Sequence, residues 1–249
     1  MFRFVIARHT EDVSWLFDTL RNFDSWKATI YNDGPTIDVP TELLCRVDVL
    51  PGDKVPAEAT KYLQFIIDNY DNPNDERLIF LQADPVYHNY TFLEVLKHTD
   101  KWNPYYQNLC LNVHSPPWGC SREILEGKAP NITYFSDKAA VWSDKNMDDL
   151  FEGEYYKDPG WLKEYNTRTN VSKLCAEWGV KRPASVDKTY CALFSTNWAC
   201  IKRYPIDTWR KIHDFNIHGN ADTRDMTMKL RACILESMWA VLFLSLIHI

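Results

Sequence analysis

One stretch near residue 80 constrains the fold more than any other part of the sequence. Four consecutive apolar residues, 78–81, rise from a charged loop and are soon followed by Asp84 and Pro85. A continuous apolar run of this length suits a strand that is covered on both faces, as in parallel sheets. Proline cannot donate to a ladder and pushes the preceding residue away from helical geometry, so the strand ends here. The carboxylate of Asp84, and soon afterwards the imidazole of His88, are therefore delivered to the carboxyl edge of a sheet.

Strand and helix patterns alternate along the first ninety residues. The pattern predicts strands at residues 2–7, 27–31 and 78–81 and helices at residues 13–20 and 59–70. Thr10 is the expected N-cap of the first helix, and Lys61 is expected on the solvent face of the second. A long connection, 34–56, carries a short strand around residues 43–49. Crossovers of this length favour parallel pairing, so we expect an α/β fold with a mostly parallel, doubly wound central sheet.

The remainder of the chain is less regular, and we expect it to complete one domain. A fourth strand is predicted at residues 190–194 and further helices at residues 206–215 and 223–244. The expected organisation is a single α/β domain over 1–244, made of a nucleotide-binding-like half (1–90), a loop-rich insertion (91–189) and a C-terminal strand and helices (190–244), with a non-native tail at 245–249. The tail resembles the translation of a sequencing-adapter read-through.

Charge and hydropathy exclude two broad classes of partner. The net charge is −6 and no long basic block is present, which argues against nucleic-acid binding. The apolar stretch 238–249 is shorter than the ~20 residues of a membrane span, and Glu236 interrupts its extension, so we do not expect membrane association. No signal segment is visible at the N-terminus, which favours a cytoplasmic location, or a lumenal one if a targeting segment is missing from this sequence.

Cysteine usage and glycosylation motifs leave the redox compartment open. The seven cysteines lack the CxxC spacing of a structural zinc site and do not form a recognisable disulfide framework, although Cys110 and Cys120 could pair in an oxidising compartment. Glycosylation motifs begin at Asn89, Asn131 and Asn170, and they have meaning only in a secreted chain.

Polar clusters follow each of the first three predicted strands. They comprise residues 8–12, 32–34 and 82–88. Parallel strands would bring all three to one edge, where open α/β sheets bind ligands. Arg8 suits phosphate oxygens, and Asp33 suits a ribose or a base edge. Asp84 suits a hard divalent cation, and His88 would help to hold the cation if the metal were a softer one such as manganese. The candidate nucleotide-binding residues are Arg8, Glu11, Asp12, Asn32 and Asp33.

Each cluster also has a purely structural explanation. Glu11 and Asp12 suit the positive end of a helix dipole, residues 32–34 are an ordinary turn, and Asp84 with Pro85 terminates a strand. His88 could simply hydrogen-bond within its loop. Only the convergence of the three clusters favours a ligand site.

Several segments resemble a known family. Residues 5–16, 30–34, 62–71 and 79–85 resemble a family of uncharacterised proteins of eukaryotic microbes that is catalogued as a domain of unknown function, and residues 194–209 and 235–239 resemble its C-terminal pieces. This family implies no activity.

A more distant resemblance is to A-type glycosyltransferases. Residues 30–38 are similar to their nucleotide-contacting Asp-Gly-Ser-x-Asp turn, and residues 81–84 fall where they carry an Asp-x-Asp metal motif. The resemblance implies a GT-A-like, nucleotide-diphospho-sugar transferase fold with bound Mn²⁺ or Mg²⁺. Gln82 replaces the first acid, and a carboxamide is a poorer cation ligand, so Asp84 acts either with His88 or without a metal.

Three residues of the C-terminal part complete the candidate site. Glu236 is the candidate general base that deprotonates an acceptor hydroxyl, and its structural alternative is a partner for Arg231 or a helix cap. Lys202 and Arg203 are candidates for holding the diphosphate or the acceptor, although exposed basic residues usually hold nothing.

These residues lead to two main hypotheses of function. The first is transfer of a sugar from a nucleotide-sugar donor to a hydroxyl of a saccharide acceptor. The second is a non-catalytic glycan- or protein-binding domain on a glycosyltransferase-like scaffold. A third, a metal-dependent hydrolase using Asp84 and His88, lacks the clustered acids and histidines of such sites. Fold alone does not choose among them.

Overall fold

A computed structural model of the chain describes residues 1–53, 55, 57–71, 75–109, 141–142, 171–182, 186–187 and 192–244. Several predictions lie outside these residues: the start of the fourth strand (190–191), the expected tail (245–249), the pair Cys110 and Cys120, and the glycosylation motifs that begin at Asn131 and Asn170.

A mixed sheet of six strands forms the centre of the molecule. The strands of the described residues are β1 (Phe2–Arg8), β2 (Lys27–Asn32), β3 (Val47–Pro51), β4 (Arg77–Gln82), β5 (Tyr106–Asn108), β6 (Val141–Trp142), β7 (Val186–Asp187) and β8 (Phe194–Asn197). The order in the large sheet is β3-β2-β1-β4-β8-β5, and β6 pairs with β7 separately. Strands β1 to β4 are mutually parallel, whereas β8 is antiparallel to both β4 and β5.

Helices cover both faces of this sheet. The α-helices are α1 (Ser14–Asn22), α2 (Glu58–Asp68), α3 (Pro85–His88), α4 (Phe92–Val95), α5 (Val171–Trp178), α6 (Trp198–Ile201), α7 (Ile206–His218) and α8 (Met228–Leu244), and short 3₁₀ helices occupy Thr41–Leu43 and Leu96–Lys101. On one face, α2, α7 and α8 bury Tyr62, Phe80 and Trp239 in a common core. On the other face, α1 and the segment after β4 bury Ile30 and Leu81. The two-sided burial explains the continuous apolar runs of the strands.

The central expectation of the sequence is confirmed: the chain forms an α/β domain whose sheet is mostly parallel, with β1 between β2 and β4. The fourth predicted strand was misplaced. Strand β8 begins at Phe194, where the prediction at residues 190–194 ended, and it runs antiparallel. The supposed loop-rich insertion also contributes β5 to the sheet and α5 to the core.

The first helix begins one residue later than expected, and Thr10 is not its N-cap. It starts at Ser14 with Val13 at the N-cap position, and Asp12 accepts hydrogen bonds from the backbone and hydroxyl of Ser14. The last helix likewise starts at Met228 rather than near residue 223, since residues 220–226 form a hydrogen-bonded turn.

The end of β4 follows the predicted chemistry. Asp84 caps α3, with Oδ1 accepting the N–H of Tyr87 at 3.2 Å, and Pro85 occupies the first turn of that helix. The indole of Trp15 donates to the carbonyl of Ala83 at 2.8 Å, so α1 is fastened to the same point. The position of Asp84 at the sheet edge is therefore fixed from two directions.

Candidate functional site

The three polar clusters meet at the carboxyl edge of β2, β1 and β4. Arg8 is in register with Asn32, and Ala7 with Gln82. Just beyond the strands, the N–H of Asp33 donates to the carbonyl of Arg8 at 2.9 Å. From β1 the chain adds β2 and β3 on one side of the sheet and then returns to add β4 on the other side of β1. The strand order therefore reverses beside β1. A reversal of this kind opens a crevice outside the carboxyl ends of the strands.

Arg8 joins the loops that follow β1 and β2. Its Nη1 donates to Asn32 Oδ1 at 2.5 Å and to the carbonyl of Pro35 at 2.9 Å, and its Nε donates to the carbonyl of Glu11 at 2.8 Å. The amide of Asn32 also donates to the carbonyls of Gly34 and Pro35. Among the residues that the structure describes, Nη2 of Arg8 makes no hydrogen bond. One guanidinium nitrogen thus remains available to a ligand oxygen.

The two acids after β1 mainly shape their own loop. The carboxylate of Glu11 accepts the N–H groups of His9 and Thr10 at 2.7 and 3.0 Å. Asp12 accepts from Ser14, whose hydroxyl is the largest cause of the lowered pKa of this exposed carboxylate. These contacts account for both acids without a nucleotide, and their role in nucleotide binding stays a prediction.

Asp33 is engaged by a lysine that sequence reasoning missed. The ammonium of Lys61, whose side chain is only 3% exposed, lies 2.8 Å from Asp33 Oδ2 and 2.5 Å from Asp53 Oδ1. It also donates to the carbonyl of Val55. The expectation that Lys61 lies on the solvent face of α2 was wrong, because Asp53 and Val55, which follow β3, contact its ammonium. The arrangement fixes the Asp33 carboxylate beneath the loop, and a ribose contact by Asp33 stays a prediction.

A second group of ionisable residues gathers near the carboxyl end of β4. Burial lowers the pKa of His88, and the negative charges of Glu58 and Asp84 partly offset that shift. Burial also raises the pKa of Tyr62 well above its ordinary value, and the carboxylates of Glu58 and Glu236 add to this rise. Glu58 in the first turn of α2 therefore acts on both aromatic groups, and Glu236 reaches the same region from α8.

The hydrogen bond of the Tyr62 hydroxyl shows where these ionisable residues lie in the fold. The hydroxyl donates to the carbonyl of Ala192 at 3.2 Å. Ala192 lies two residues before β8, and β8 begins opposite the carboxyl-terminal half of β4, since Phe194 pairs with Phe80. Near this end of the sheet, the charges of Glu58 and Asp84 act on His88, and those of Glu58 and Glu236 act on Tyr62. We call Glu58, Asp84, His88 and Glu236 the edge cluster.

Lys202 and Arg203 lie at the opposite end of the sheet. They follow β8, whose last residue, Asn197, pairs with the first residue of β4. Arg203 donates to the carbonyl of Phe243 at 3.3 Å, and its guanidinium lies 5.6 Å from the ring centroid of Tyr105. The structure does not bring these two cations together with Asp84. The direction of β8 is the reason: an antiparallel strand delivers its following residues to the amino edge of its parallel neighbours.

Arg231, the expected structural partner of Glu236, makes its hydrogen bonds elsewhere. The buried guanidinium of Arg231 donates instead to the backbone carbonyls of Asn216, Ile217, Thr223 and Met226. Arg231 therefore closes the end of α7 and the turn that follows it. The structural alternative for Glu236 as a partner of Arg231 is wrong.

The described part of the chain contains neither a group of metal ligands nor a membrane-spanning helix. No group of three or more His, Cys, Asp or Glu side chains in it could hold a metal ion. No described helix has the length and apolar character needed to cross a membrane.

The fold and the edge cluster define a mixed α/β protein with a candidate ligand site at a topological switch point. Residues 4–247 match the model of a family described as "Protein of unknown function (DUF3431)", and the chain belongs to this family. The resemblance to a family of unknown function is thus confirmed. Neither a curated protein nor a solved structure matches the chain.

Proposed function

We propose that the protein transfers a sugar from a nucleotide-diphospho-sugar donor to a hydroxyl group of an acceptor, on a scaffold of the A-type glycosyltransferase kind. The observation that carries the proposal is the position of Asp84 and His88 at the carboxyl edge beside the β1/β4 switch point, where the charge of Glu58 acts on His88 and the charges of Glu58 and Glu236 act on Tyr62. Acids of this kind can take a proton from an acceptor or hold a cation, and the crevice is the place where such sheets bind nucleotides.

The donor would bind across the ends of β2, β1 and β4. Arg8 leaves Nη2 free of hydrogen bonds to the described residues while its other nitrogens fix the loop. A guanidinium held in this way offers a charge-assisted hydrogen bond to a diphosphate oxygen at low entropic cost. Asn32 and Asp33, in the next loop, would lie beside the nucleoside.

Asp84 would meet the diphosphate end of the donor. Its Oδ1 caps α3, and its Oδ2 accepts no hydrogen bond from the described residues. A carboxylate oxygen in that state suits Mg²⁺ or Mn²⁺, and the lowered pKa of His88 keeps its imidazole neutral and able to ligate near pH 7. Such a cation would offset the charge that develops on the departing diphosphate.

Glu236 would serve as the general base, with Glu58 as its neighbour in the edge cluster. In the proposed step, the carboxylate takes the proton of the acceptor hydroxyl, and the acceptor oxygen bonds to the anomeric carbon. The bond between that carbon and the diphosphate oxygen breaks, and the nucleoside diphosphate leaves with the electron pair. The half-buried setting of both glutamates favours such proton transfer because water competes less there.

The proposal is tested by thermal denaturation in the presence of uridine and guanosine diphosphates, with and without Mn²⁺. At a nucleotide concentration of about 100 Kd, binding adds about 2.7 kcal/mol and raises the melting temperature by several degrees in a protein of this size. Arg8→Lys, which cannot keep the three hydrogen bonds of the guanidinium fork, should reduce the shift. No shift with any nucleotide, in protein that unfolds cooperatively, contradicts the proposal.

A second function is also supported, because several of the candidate nucleotide-binding side chains already interact with other groups of the protein. Glu11, Asp12 and Asp33 have partners within the protein, and the described residues contain no three-ligand metal group. These observations favour a non-catalytic glycan- or protein-binding domain on a transferase-like scaffold. That function predicts saccharide binding without turnover, and it predicts that Asp84→Ala changes stability alone.

A further inference from the structure

Two tyrosines stand out from the surface directly beside the edge cluster. Tyr87 is 80% exposed and Tyr90 is 75% exposed, and Val86 and Leu93 are also exposed. We call these four residues the tyrosine surface. Two large rings exposed within four residues of sequence are unusual, and exposed apolar groups gathered in this way mark a site of interaction.

The backbone under the tyrosine surface is held firmly. Asn89 lies between the two tyrosines and is buried, and its Nδ2 donates to the carbonyl of Leu109 at 2.7 Å. Its Oδ1 accepts from the N–H and the hydroxyl of Thr91 at 2.9 and 2.8 Å. The N–H of Asn89 donates to the carbonyl of Pro85 at 2.8 Å. The rings are therefore presented from a rigid support, which lowers the entropic cost of binding.

Polar groups adjoin the rings at the same place. The ring of His88 meets that of Tyr87 edge to face, with centroids 5.2 Å apart. Asp84, which caps the helix carrying Tyr87, has an oxygen that accepts no hydrogen bond from the described residues. A flat aromatic face next to a carboxylate and an imidazole offers two kinds of contact together: apolar stacking and hydrogen bonds to hydroxyl groups.

We propose that the tyrosine surface binds a pyranose ring of a saccharide, and that this saccharide is the acceptor of the transfer. The second half of the statement rests on the proposed function, whereas the first does not. A sugar ring has an apolar C–H face that stacks on an aromatic ring, and it has hydroxyls that can hydrogen-bond to polar groups at the border of the tyrosine surface. The surface is poorly suited to an anionic membrane, because the protein carries a net charge of −6 and Asp84 lies at its border.

The test is an NMR titration of the full chain with maltose, cellobiose and α-1,2-mannobiose, using Tyr87→Ala/Tyr90→Ala and Tyr87→Phe/Tyr90→Phe. At least one disaccharide should bind the native protein. Its Kd should rise by about tenfold or more in the alanine variant, which loses the rings, and stay within about threefold in the phenylalanine variant, which keeps them. Tyr105→Ala is the matched control, because Tyr105 is also exposed but lies at the amino edge, and it should leave the Kd unchanged.

Four results would overturn the saccharide site or the transferase function. Binding of none of the three disaccharides, or binding that the alanine variant retains in full, overturns the saccharide site. Sedimentation of the native protein as a dimer that the alanine variant dissociates also overturns it, since the surface then holds a second copy of the chain. Saccharide binding without any nucleotide-induced rise in melting temperature supports the surface but contradicts the transferase function.

Discussion

The ammonium nitrogen of Lys61 lies 2.8 Å from a carboxylate oxygen of Asp33, and the two side chains are 3% and 10% exposed. This ion pair links α2 to the end of β2, and Asp53 and the carbonyl of Val55 complete the surroundings of the ammonium. A buried charge needs such partners to offset its desolvation. The loops of the carboxyl edge are therefore fixed before any ligand arrives.

Replacement of Lys61 by methionine tests this link. Lys61→Met leaves Asp33 and Asp53 close together without their shared cation, so the free energy of unfolding should fall by about 3 kcal/mol. Urea denaturation measures the change. Lys97→Met is the matched control, because Lys97 is exposed and its ion pair among the described residues is with Glu94, and it should leave the midpoint unchanged. Equal effects of the two substitutions would show that Lys61 does not hold the edge together.

Two glycines permit the close approach of loops at this edge. A Cβ on Gly34 would lie 1.5 Å from the carbonyl oxygen of His9, and a Cβ on Gly52 would lie 1.9 Å from Asp33 Oδ1. Both alanine substitutions should destabilise the protein, by about 1–3 kcal/mol for Gly52→Ala and by more for Gly34→Ala. Gly34→Ala should cost more stability because its Cβ meets the backbone of His9, whereas the Cβ of Gly52→Ala meets the side chain of Asp33, which can move more easily. A Gly34→Ala variant as stable as the native protein would mean that the loops are not in contact.

The titration of His88 reports whether the edge cluster exists. Because burial lowers its pKa while Glu58 and Asp84 oppose that effect, removal of either negative charge should lower the pKa further. Glu58→Gln should produce the larger fall and Asp84→Asn the smaller one. The imidazole signals in an NMR titration give these values directly. Glu42→Gln, which removes a carboxylate paired with Arg21, is the control and should not change the pKa of His88.

The pH dependence of stability follows from the same shift. The folded-state pKa of His88 is lower than its unfolded value, so the unfolded state binds more protons as the pH falls below about 6.5. The contribution to stability is complete above that pH and is lost as the pH decreases. His88→Gln should therefore flatten the fall in melting temperature between about pH 7 and pH 5. An unchanged slope in this variant would show that His88 titrates in the folded protein as it does in water.

Asn89 provides a test of the support beneath the tyrosine surface. Asn89→Ala removes the hydrogen bonds to Leu109 and Thr91 within a buried site, so it should destabilise the protein by about 1–3 kcal/mol. Asn22→Ala, which removes one exposed hydrogen bond to Asp18, should have a much smaller effect. The burial of Asn89 also means that its glycosylation motif is closed in the folded chain. Mass spectrometry of protein from a glycosylating host should find no sugar at Asn89, and a sugar there would contradict its burial.

The sequence predicts the parallel strands of the fold because local residue patterns determine where they begin and end. Apolar runs and the Asp84-Pro85 break locate β1, β2 and β4, and the crossover lengths set their common direction. The direction of β8 is not encoded in this way. Residues 194–197 have the same strand propensity whichever way the strand runs, so Lys202 and Arg203 were expected at the wrong edge.

The candidate site was less predictable than the strands. Helical periodicity places Lys61 with the polar residues of α2, whereas its burial depends on tertiary contacts with Asp33, Asp53 and Val55. Glu58 gave no signal of its own, because an acid in a first helical turn is ordinary. Its approach to His88 joins elements about thirty residues apart, and such contacts depend on tertiary packing rather than on local pattern.

Donor hydrolysis across a panel of nucleotide-sugars, with and without Mn²⁺, tests the proposed function most directly when native protein is compared with Asp84→Ala. Asp24→Ala, which removes an exposed carboxylate after α1, is the matched control. We expect at least one donor to be hydrolysed faster with Mn²⁺, with a loss of roughly 100-fold in Asp84→Ala and no loss in Asp24→Ala. A folded native protein that hydrolyses no donor, or an Asp84→Ala variant that hydrolyses one at the native rate, would contradict the assignment of the carboxyl edge as a nucleotide-sugar site.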